Sequence, residues 1–144
     1  MKYLLDTCVI SELAKAAPNR HVVKWLDGCD EEATFLSVLT IGEIQKGIAK
    51  LADGKRKDTI QRWLDVDLRE RFSERLLSID EEVALTWGLI QGEAERRGKP
   101  MPTIDGLLGA TAIANNLVFV TRNEDDIRST GARVLNPWKP DGER

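Results

Sequence analysis

Short apolar runs alternate along the chain with longer stretches whose apolar residues recur every three or four positions. The short runs predict strands, because a strand buried on both faces reads as continuous hydrophobic sequence. They fall at residues 3–5, 33–37, 75–79, 117–120 and 132–136. The longer stretches predict helices at 7–15, 21–28, 40–53, 57–72, 82–97 and 103–116. Strands that alternate with helices indicate βαβ units, and therefore an α/β fold with a mostly parallel sheet.

Glycines and polar capping residues set the predicted ends of these elements. Thr40 is predicted to begin a helix that Gly54 ends, while Asp80 and Thr103 are predicted N-caps. The 144 residues contain no internal repeat or linker and are enough for a single domain with its own core. We therefore predict one domain at residues 1–137 and a loose C-terminal tail at 138–144.

The composition is that of an ordinary globular protein, with 42% hydrophobic and 31% charged residues. No apolar stretch approaches the roughly 18 residues that a membrane-spanning helix needs, and the N-terminus lacks the apolar segment of a signal peptide. A cytoplasmic location with no membrane partner is therefore expected. Cys8 and Cys29 form no CxxC motif, so two reduced thiols are expected.

The sequence disfavours two common kinds of active site. His21 is the single histidine of the chain, which rules out a histidine-rich metal site. A Ser-His-Asp triad would need that same histidine, and the chain also lacks a GxSxG motif.

The net charge of −3 argues against a protein that binds nucleic acid through overall charge alone. Basic residues are nevertheless clustered, most densely at residues 46–62. Acidic residues are interspersed with them, so solvated helix faces are the simpler interpretation of each cluster. Local contact with nucleic acid remains the alternative.

Acidic and carboxamide side chains follow the predicted strands or begin the predicted helices. Asp6 comes directly after the first strand, and Asn123 and Asp126 follow the fourth. Glu43 lies in the predicted first turn of the helix after the second strand, and Asp105 lies in the first turn of the helix before the fourth. Functional sites of open α/β sheets gather beyond the carboxyl ends of the strands, so these side chains are expected to meet there.

Each acid also has a simpler explanation, as an N-cap or as a charge that favours the start of a helix. The apolar flanks of Asp6, Glu43 and Asp105 weaken that explanation, because an unpaired carboxylate in such surroundings would be protonated rather than charged. Several such acids without a neighbouring lysine or arginine suggest a missing cation. Mg²⁺ and Mn²⁺ prefer oxygen ligands of this kind, and phosphodiester hydrolysis is a common use of such a site.

Four blocks of sequence can be compared with known families: YLLDTCVISEL, SVLTIGEIQKGI, PTIDGLLGATAIANNLVFVTRNEDDI and the ending NPW at 136–138. Together they resemble the PIN-domain ribonucleases, and in particular the VapC-type toxins of type II toxin–antitoxin systems in the branch that includes the FitB proteins. The four blocks span nearly the whole chain. The resemblance implies a three-layer α/β/α fold around a parallel sheet of about five strands.

The resemblance also implies an endoribonuclease that needs Mg²⁺ or Mn²⁺ and leaves 5′-phosphate and 3′-hydroxyl ends. Asp6 and Asp105 match the main metal ligands of the family. Glu43 and Asp126 match acids that act directly or through water, and Asn123 occupies the fourth family position. Two departures stand out, since position 8 is usually Asn and is Cys8 here, and position 123 is often Asp.

Further positions carry over from the family pattern with supporting roles. The hydroxyls of Thr7 and Thr121 are expected beside the site. Ser11 and Glu12 match the pattern of the first helix and are expected to support the acids. Lys46 and Lys50 share the helix of Glu43 and are the expected RNA contacts.

Partners follow from the resemblance as well. It implies a homodimer and a small DNA-binding antitoxin that holds the toxin inactive, with operator DNA reached only through that antitoxin. One alternative is a PIN-like nuclease that acts on other nucleic acid outside a toxin–antitoxin module. Another is an inactive binding module, for which the Asn at position 123 is the one supporting feature.

Overall fold

Five parallel strands form the centre of the molecule. The structure is a computed structural model that describes residues 1–140, and its sheet has the order β3-β2-β1-β4-β5. The strands are β1 (Tyr3–Leu5), β2 (Thr34–Ser37), β3 (Leu76–Leu77), β4 (Val118–Val120) and β5 (Val134–Leu135). The predicted α/β/α fold with a five-stranded parallel sheet is thus confirmed.

Helices cover both faces of this sheet. They are α1 (Thr7–Leu13), α2 (Arg20–Asp27), α3 (Val38–Ala49), α4 (Lys55–Arg62), α5 (Arg69–Arg71), α6 (Glu81–Arg96), α7 (Thr103–Ala114) and α8 (Glu124–Arg128). A π-helical segment, Trp63–Leu68, joins α4 to α5, and a 3-10 turn, Glu31–Ala33, precedes β2. Within residues 1–140, none of the helices has both the length and the apolar character that crossing a membrane requires.

Alternation along the strands divides the core into two layers. Leu5, Val118 and Val120 face one layer, which α1, α2, α3 and the π-helical segment complete. Leu4 and Phe119 face the other layer, which α7 and α8 cover. Helix α6 packs outside α7. Because the central strands are buried on both faces, they carry the unbroken apolar runs seen in the sequence.

The strand order creates the position for a site. The chain moves outward from β1 through β2 to β3, then returns to the other side of β1 as β4 and β5. Leu5 pairs with Val120, and the Asp6 N–H donates to the Val120 carbonyl at 3.0 Å. The first residues after β1 and β4 are therefore side by side, at the crevice where such sheets bind ligands.

Three predicted helix boundaries were wrong. Helix α3 begins at Val38, because the Ser37 hydroxyl caps the Leu39 N–H, rather than at Thr40. It ends at Ala49, and Gly54 instead precedes α4 with a φ of 150°. Thr103 is the first residue of α7 and makes no side-chain cap. The predicted N-cap at Asp80 is confirmed by its bond to the Val83 N–H at 2.9 Å.

The predicted loose tail is wrong for its first residues. Pro137 is buried and Trp138 is half-buried against the core. The Lys139 ammonium lies 2.7 Å from a Glu124 carboxylate oxygen. Residues 141–144 of the predicted tail lie outside the described residues.

Helix α7 packs so closely that one of its glycines tolerates no side chain. A Cβ at Gly109 would lie 2.2 Å from the Thr130 hydroxyl and 2.5 Å from the Thr130 Cβ.

Gly109→Ala should therefore lower the free energy of unfolding by about 1–3 kcal/mol or more, measured by urea denaturation. Gly42→Ala is the matched control, since nothing lies within 4 Å of a Cβ there. It should raise stability by about 0.5–1 kcal/mol through helix propensity, and equal effects of the two changes would contradict this account.

Candidate active site

Asp6 lies at the centre of the candidate site and accepts hydrogen bonds on both carboxylate oxygens. Oδ1 accepts from the Thr7 backbone N–H at 2.8 Å, which makes Asp6 the N-cap of α1. Oδ2 accepts from the Thr121 hydroxyl at 2.7 Å and from the Cys8 thiol at 3.5 Å. The capping role that the sequence allowed is present, and the same carboxylate also joins the ends of β1 and β4.

Glu43 reaches the site from α3. Its Oε1 accepts a hydrogen bond from the Thr7 hydroxyl at 2.7 Å. Because α3 begins at Val38, Glu43 lies in the second turn rather than the predicted first turn. The helix dipole therefore does not account for its position.

Asp105 supplies the third carboxylate, from the first turn of α7 as predicted. Burial raises its pKa above the ordinary aspartate value, and the negative charges of Asp126, Asp6 and Glu43 raise it further. Carboxylates from four separate segments therefore act on one another electrostatically. Across residues 1–140, none of these four acids forms an ion pair with a lysine or arginine.

Asn123 and Asp126 complete the predicted set from the loop after β4. The Asn123 backbone N–H donates to the Thr121 hydroxyl at 3.0 Å, while its side chain is exposed. Asp126 is exposed in the first turn of α8. The structure thus gathers all five predicted site residues at one end of the sheet. In the part of the chain described, no three acids, cysteines or histidines converge tightly enough to form a finished metal cage.

Comparison with known proteins identifies the family of this chain. The PIN domain model matches residues 3–132. The chain belongs to the PIN-domain family.

Curated relatives of this PIN domain cover nearly its full length. It is 37% identical to Toxin FitB of Neisseria gonorrhoeae over 94% of this chain and 97% of that protein. It is 34% identical to VapC ribonuclease Y4jK of Sinorhizobium fredii over 95% of this chain and 98% of that protein. In the solved structure of FitAB bound to IR36 DNA fragment, a chain 34% identical superposes with a TM-score of 0.90 and 99% of each chain covered.

Cys8 stands where the family pattern usually has Asn, and it joins the same network. Its sulfur lies 3.7 Å from the Thr121 hydroxyl in addition to its contact with Asp6. Burial, and next the charge of Asp6, raise the pKa of the Cys8 thiol. The side chain therefore stays a neutral thiol at physiological pH, and a thiol donor takes the position of the family's amide.

The residues predicted to support the acids have separate environments. Glu12 is buried, but its carboxylate binds Lys15 at 3.0 Å and the Asn19 N–H at 2.8 Å, which ties α1 to the start of α2. The Lys15 hydrogen bond lowers the pKa of Glu12 most, followed by the Asn19 amide. Ser11 is exposed and shares a groove with Thr7 and Glu43.

That groove has a volume of about 980 Å³ and runs between α1, α3 and α4. Its apolar lining includes Ile44, Ile48, Leu51, Ile60 and Trp63. Lys55 and Arg56 also line it, whereas Lys46 and Lys50, the predicted RNA contacts, do not. The dense basic cluster at 46–62 was the sequence signal for basic side chains near the site. Which lysines and arginines of that cluster line the groove depends on where α4 begins.

Glu124 follows Asn123 in the segment after β4 and was not predicted as a site residue. Its carboxylate accepts from Lys139 at 2.7 Å, Asn136 at 3.0 Å and Arg128 at 3.1 Å. The Lys139 contact, more than any other, lowers the pKa of Glu124 to about 2. This acid is therefore fully compensated, unlike Asp105 and its neighbours. The NPW motif at residues 136–138 was the sequence signal for an ordered segment here. The sequence does not show that this segment contacts Glu124.

The raised pKa of Asp105 predicts a pH-dependent cost in stability. A folded-state pKa above the unfolded one means that the ionised carboxylate destabilises the fold at neutral pH. Asp105→Asn should thus raise the free energy of unfolding at pH 7 in metal-free buffer. The gain should shrink as the pH falls through the folded pKa, and disappear below the ordinary aspartate value of 3.8.

Denaturant titrations at several pH values test this prediction. Asp125→Asn is the matched control, because Asp125 is an exposed neighbour that does not contribute to the shift of Asp105. An Asp105→Asn protein no more stable than the parent at pH 7 would refute the electrostatic account.

Proposed function

We propose that this PIN domain is an endoribonuclease that depends on Mg²⁺ or Mn²⁺ and acts as the toxin of a type II toxin–antitoxin module. Two relatives support the activity and role by name, one called a toxin and the other a ribonuclease. Both are at least 34% identical to this chain over nearly its whole length. The cytoplasm is the proposed place of action, because it contains RNA and antitoxin together.

The observation that carries the proposal is a set of carboxylates that have no lysine or arginine ion-pair partner within residues 1–140. A protein that needed only helix caps would gain nothing from placing Asp6, Glu43 and Asp105 within electrostatic reach of one another. Burial raises the pKa of Asp105 most, and the charges of Asp126, Asp6 and Glu43 raise it further, in keeping with that cost. A hard divalent cation removes the cost, and carboxylate oxygens are the donors it prefers.

Asp6 and Asp105 are the proposed main ligands, with Glu43 and Asp126 acting directly or through water. When bound, such a cation supplies charge neutralisation for the phosphodiester and activation of a water molecule. The loss of one charge at Asn123, where relatives often have Asp, weakens any second cation position. Within residues 1–140, no three acidic, cysteine or histidine side chains lie close enough together to form a complete metal site. The fit to the ion therefore rests on the carboxylate oxygens as its preferred donors.

The protein side chains then orient the reacting groups. Thr121 and Thr7 hold Asp6 and Glu43 by hydrogen bonds of 2.7 Å each. Because Glu43 Oε1 accepts from Thr7, Oε2 is the oxygen left to orient the attacking water and take its proton. Cleavage by water would leave 5′-phosphate and 3′-hydroxyl ends.

RNA would approach along the groove that opens at Thr7 and Glu43. Lys55 and Arg56 line that groove and form no ion pair within residues 1–140, so they are better placed than Lys46 and Lys50 to contact phosphates. Single-stranded or loop RNA is the proposed target, because the bases of A-form helices are hidden.

An antitoxin and operator DNA are the proposed partners. The solved structure of FitAB bound to IR36 DNA fragment is the supporting observation, since the chain it matches is so similar to this one. By that likeness, a small DNA-binding antitoxin would hold this toxin inactive. The toxin would then reach operator DNA only through the antitoxin.

A second copy of the chain is the third proposed partner, and α6 is the face that suits it. Leu85 and Leu89 are 64% and 78% exposed there, so two neighbouring apolar side chains of one helix face outward. Glycines at 88 and 92 on the same exposed face allow close approach of another helix. An antiparallel pairing would set the acidic start of α6, Glu81 and Glu82, against the basic end of the partner helix, which supports a two-fold dimer.

The competing candidates differ in testable ways. A PIN-like nuclease outside a toxin–antitoxin module would lack a neighbouring gene for a small DNA-binding protein. An inactive binding module would retain RNA binding without cleavage, and only Asn123 favours it.

Cleavage of total cellular RNA tests the activity. The wild-type chain with Mn²⁺ should release fragments with 5′-phosphates, and EDTA should stop the reaction. Asp6→Asn should reduce the rate at least about a thousandfold, as expected when a group that stabilises the transition state is lost. Asp125→Asn, an exposed acid outside the cluster, should cleave normally, and unimpaired cleavage by Asp6→Asn would refute the mechanism.

The dimer has its own test. Leu89→Lys should convert the dimer to a monomer in analytical ultracentrifugation, because it places a charge in the apolar centre of the α6 face. Val66→Lys is the control, since Val66 is an exposed apolar residue on a different surface. A wild-type monomer, or a dimer unaffected by Leu89→Lys, would contradict the assignment.

A further inference from the structure

The C-terminal segment at residues 135–139 contacts the site loop on both sides of Asn123. Ahead of it, the Thr121 N–H donates to the Leu135 carbonyl at 3.0 Å. Behind it, Glu124 accepts from Asn136 at 3.0 Å and from Lys139 at 2.7 Å.

A second pair of contacts stiffens this segment. The Arg122 guanidinium lies over the Trp138 ring, 5.4 Å from its centroid. The Trp138 backbone N–H donates to Asn136 Oδ1 at 2.9 Å, while the Asn136 side-chain NH2 group donates to Glu124. Both ends of the Asn136 side chain are therefore used, and the segment holds the loop as one unit.

Three of the residues that make these contacts are largely buried, and the loss of a hydrogen bond costs most in buried surroundings. Thr121 is fully buried, Asn136 is 7% exposed and the Glu124 side chain is 13% exposed. A charged hydrogen bond removed from such a site leaves a carboxylate with too few partners, which is costly. The loop consequently has one strongly preferred position.

The held loop connects directly to the acids. Thr121 donates to Asp6 and accepts from the Asn123 N–H, so a shift of this loop would move both groups. Glu124 begins α8, whose first turn holds Asp126. The charge of Asp126 in turn acts on Asp105.

We infer that residues 135–139 form a clamp that positions Asn123 and Asp126 against Asp6, with Glu124, Asn136 and Lys139 as its positioning residues. The inference rests on the proposed RNA hydrolysis for its functional consequence. The clamp itself is a property of the fold. None of its three positioning residues needs to touch RNA.

Two changes break the clamp and two leave it intact. Lys139→Met and Asn136→Ala each remove a contact between Glu124 and the C-terminal segment. Arg128→Met is the matched control, because Arg128 also binds Glu124, at 3.1 Å, but from within α8. Lys139→Arg keeps the charge and should rescue the function.

Two readouts separate positioning from simple loss of stability. Cleavage by Lys139→Met and Asn136→Ala should show kcat reduced by about ten- to a hundredfold with KM little changed, as expected when reacting groups are misplaced by about an ångström. Amide hydrogen exchange at Asn123 should accelerate about tenfold or more in the same variants. Arg128→Met and Lys139→Arg should resemble the wild type in both measurements.

The clamp would be overturned if Lys139→Met and Asn136→Ala lowered only the melting temperature and left kcat and the exchange of Asn123 unchanged. Equal losses in Arg128→Met would also overturn it, by showing that any contact to Glu124 suffices. A wild-type chain that cleaved no RNA would refute the proposed function instead, and the exchange rates would still decide the clamp.

Discussion

The hydrogen bond from the Thr121 hydroxyl to Asp6 is the interaction on which the rest of the site depends. It joins residues 115 positions apart, across the ends of two adjacent parallel strands. The register that pairs Leu5 with Val120 leaves both side chains at the same edge of the sheet. From there, Asp6 reaches Thr7 and Cys8, while Thr121 reaches the loop that carries Asn123.

This arrangement gathers negative charge that no lysine or arginine of residues 1–140 neutralises by an ion pair. Asp105, Asp126, Asp6 and Glu43 come from four segments. Burial raises the pKa of Asp105 most, and the charges of the other three acids raise it further. Ion pairs elsewhere, such as Arg71 with Glu31 at 2.6 Å, show that the chain places cations beside acids readily. Functional sites often lower the stability of a fold, and acids without ion-pair partners in residues 1–140, placed at a sheet crevice, fit that pattern.

Local sequence was enough to predict much of this site. Asp6 and Asp105 follow from the rule that strands and helix starts converge at one edge of a parallel sheet. Thr121 was expected beside the site from the family resemblance. The second-turn position of Glu43 was missed, since Ser37 and Thr40 are both good N-caps and only the packed structure selects Ser37.

The contacts that sequence could not predict are those between distant surfaces. Lys55 and Arg56 line the groove because α4 begins at Lys55, directly after Gly54, and lies beside α3, which no local pattern specifies. Trp138 and Lys139 read as a loose tail because a short polar ending has no periodicity. Their partners, Arg122 and Glu124, lie more than a dozen residues earlier in the chain.

The proposed role of these carboxylates is to hold a divalent cation. A crystal structure grown with Mn²⁺ can reveal that ion through the anomalous signal of the metal. We expect a peak bound by Asp6 and Asp105, at the oxygen distances of about 2.0–2.2 Å usual for a small divalent ion. A well-ordered site with no peak between these carboxylates at millimolar Mn²⁺ would contradict it.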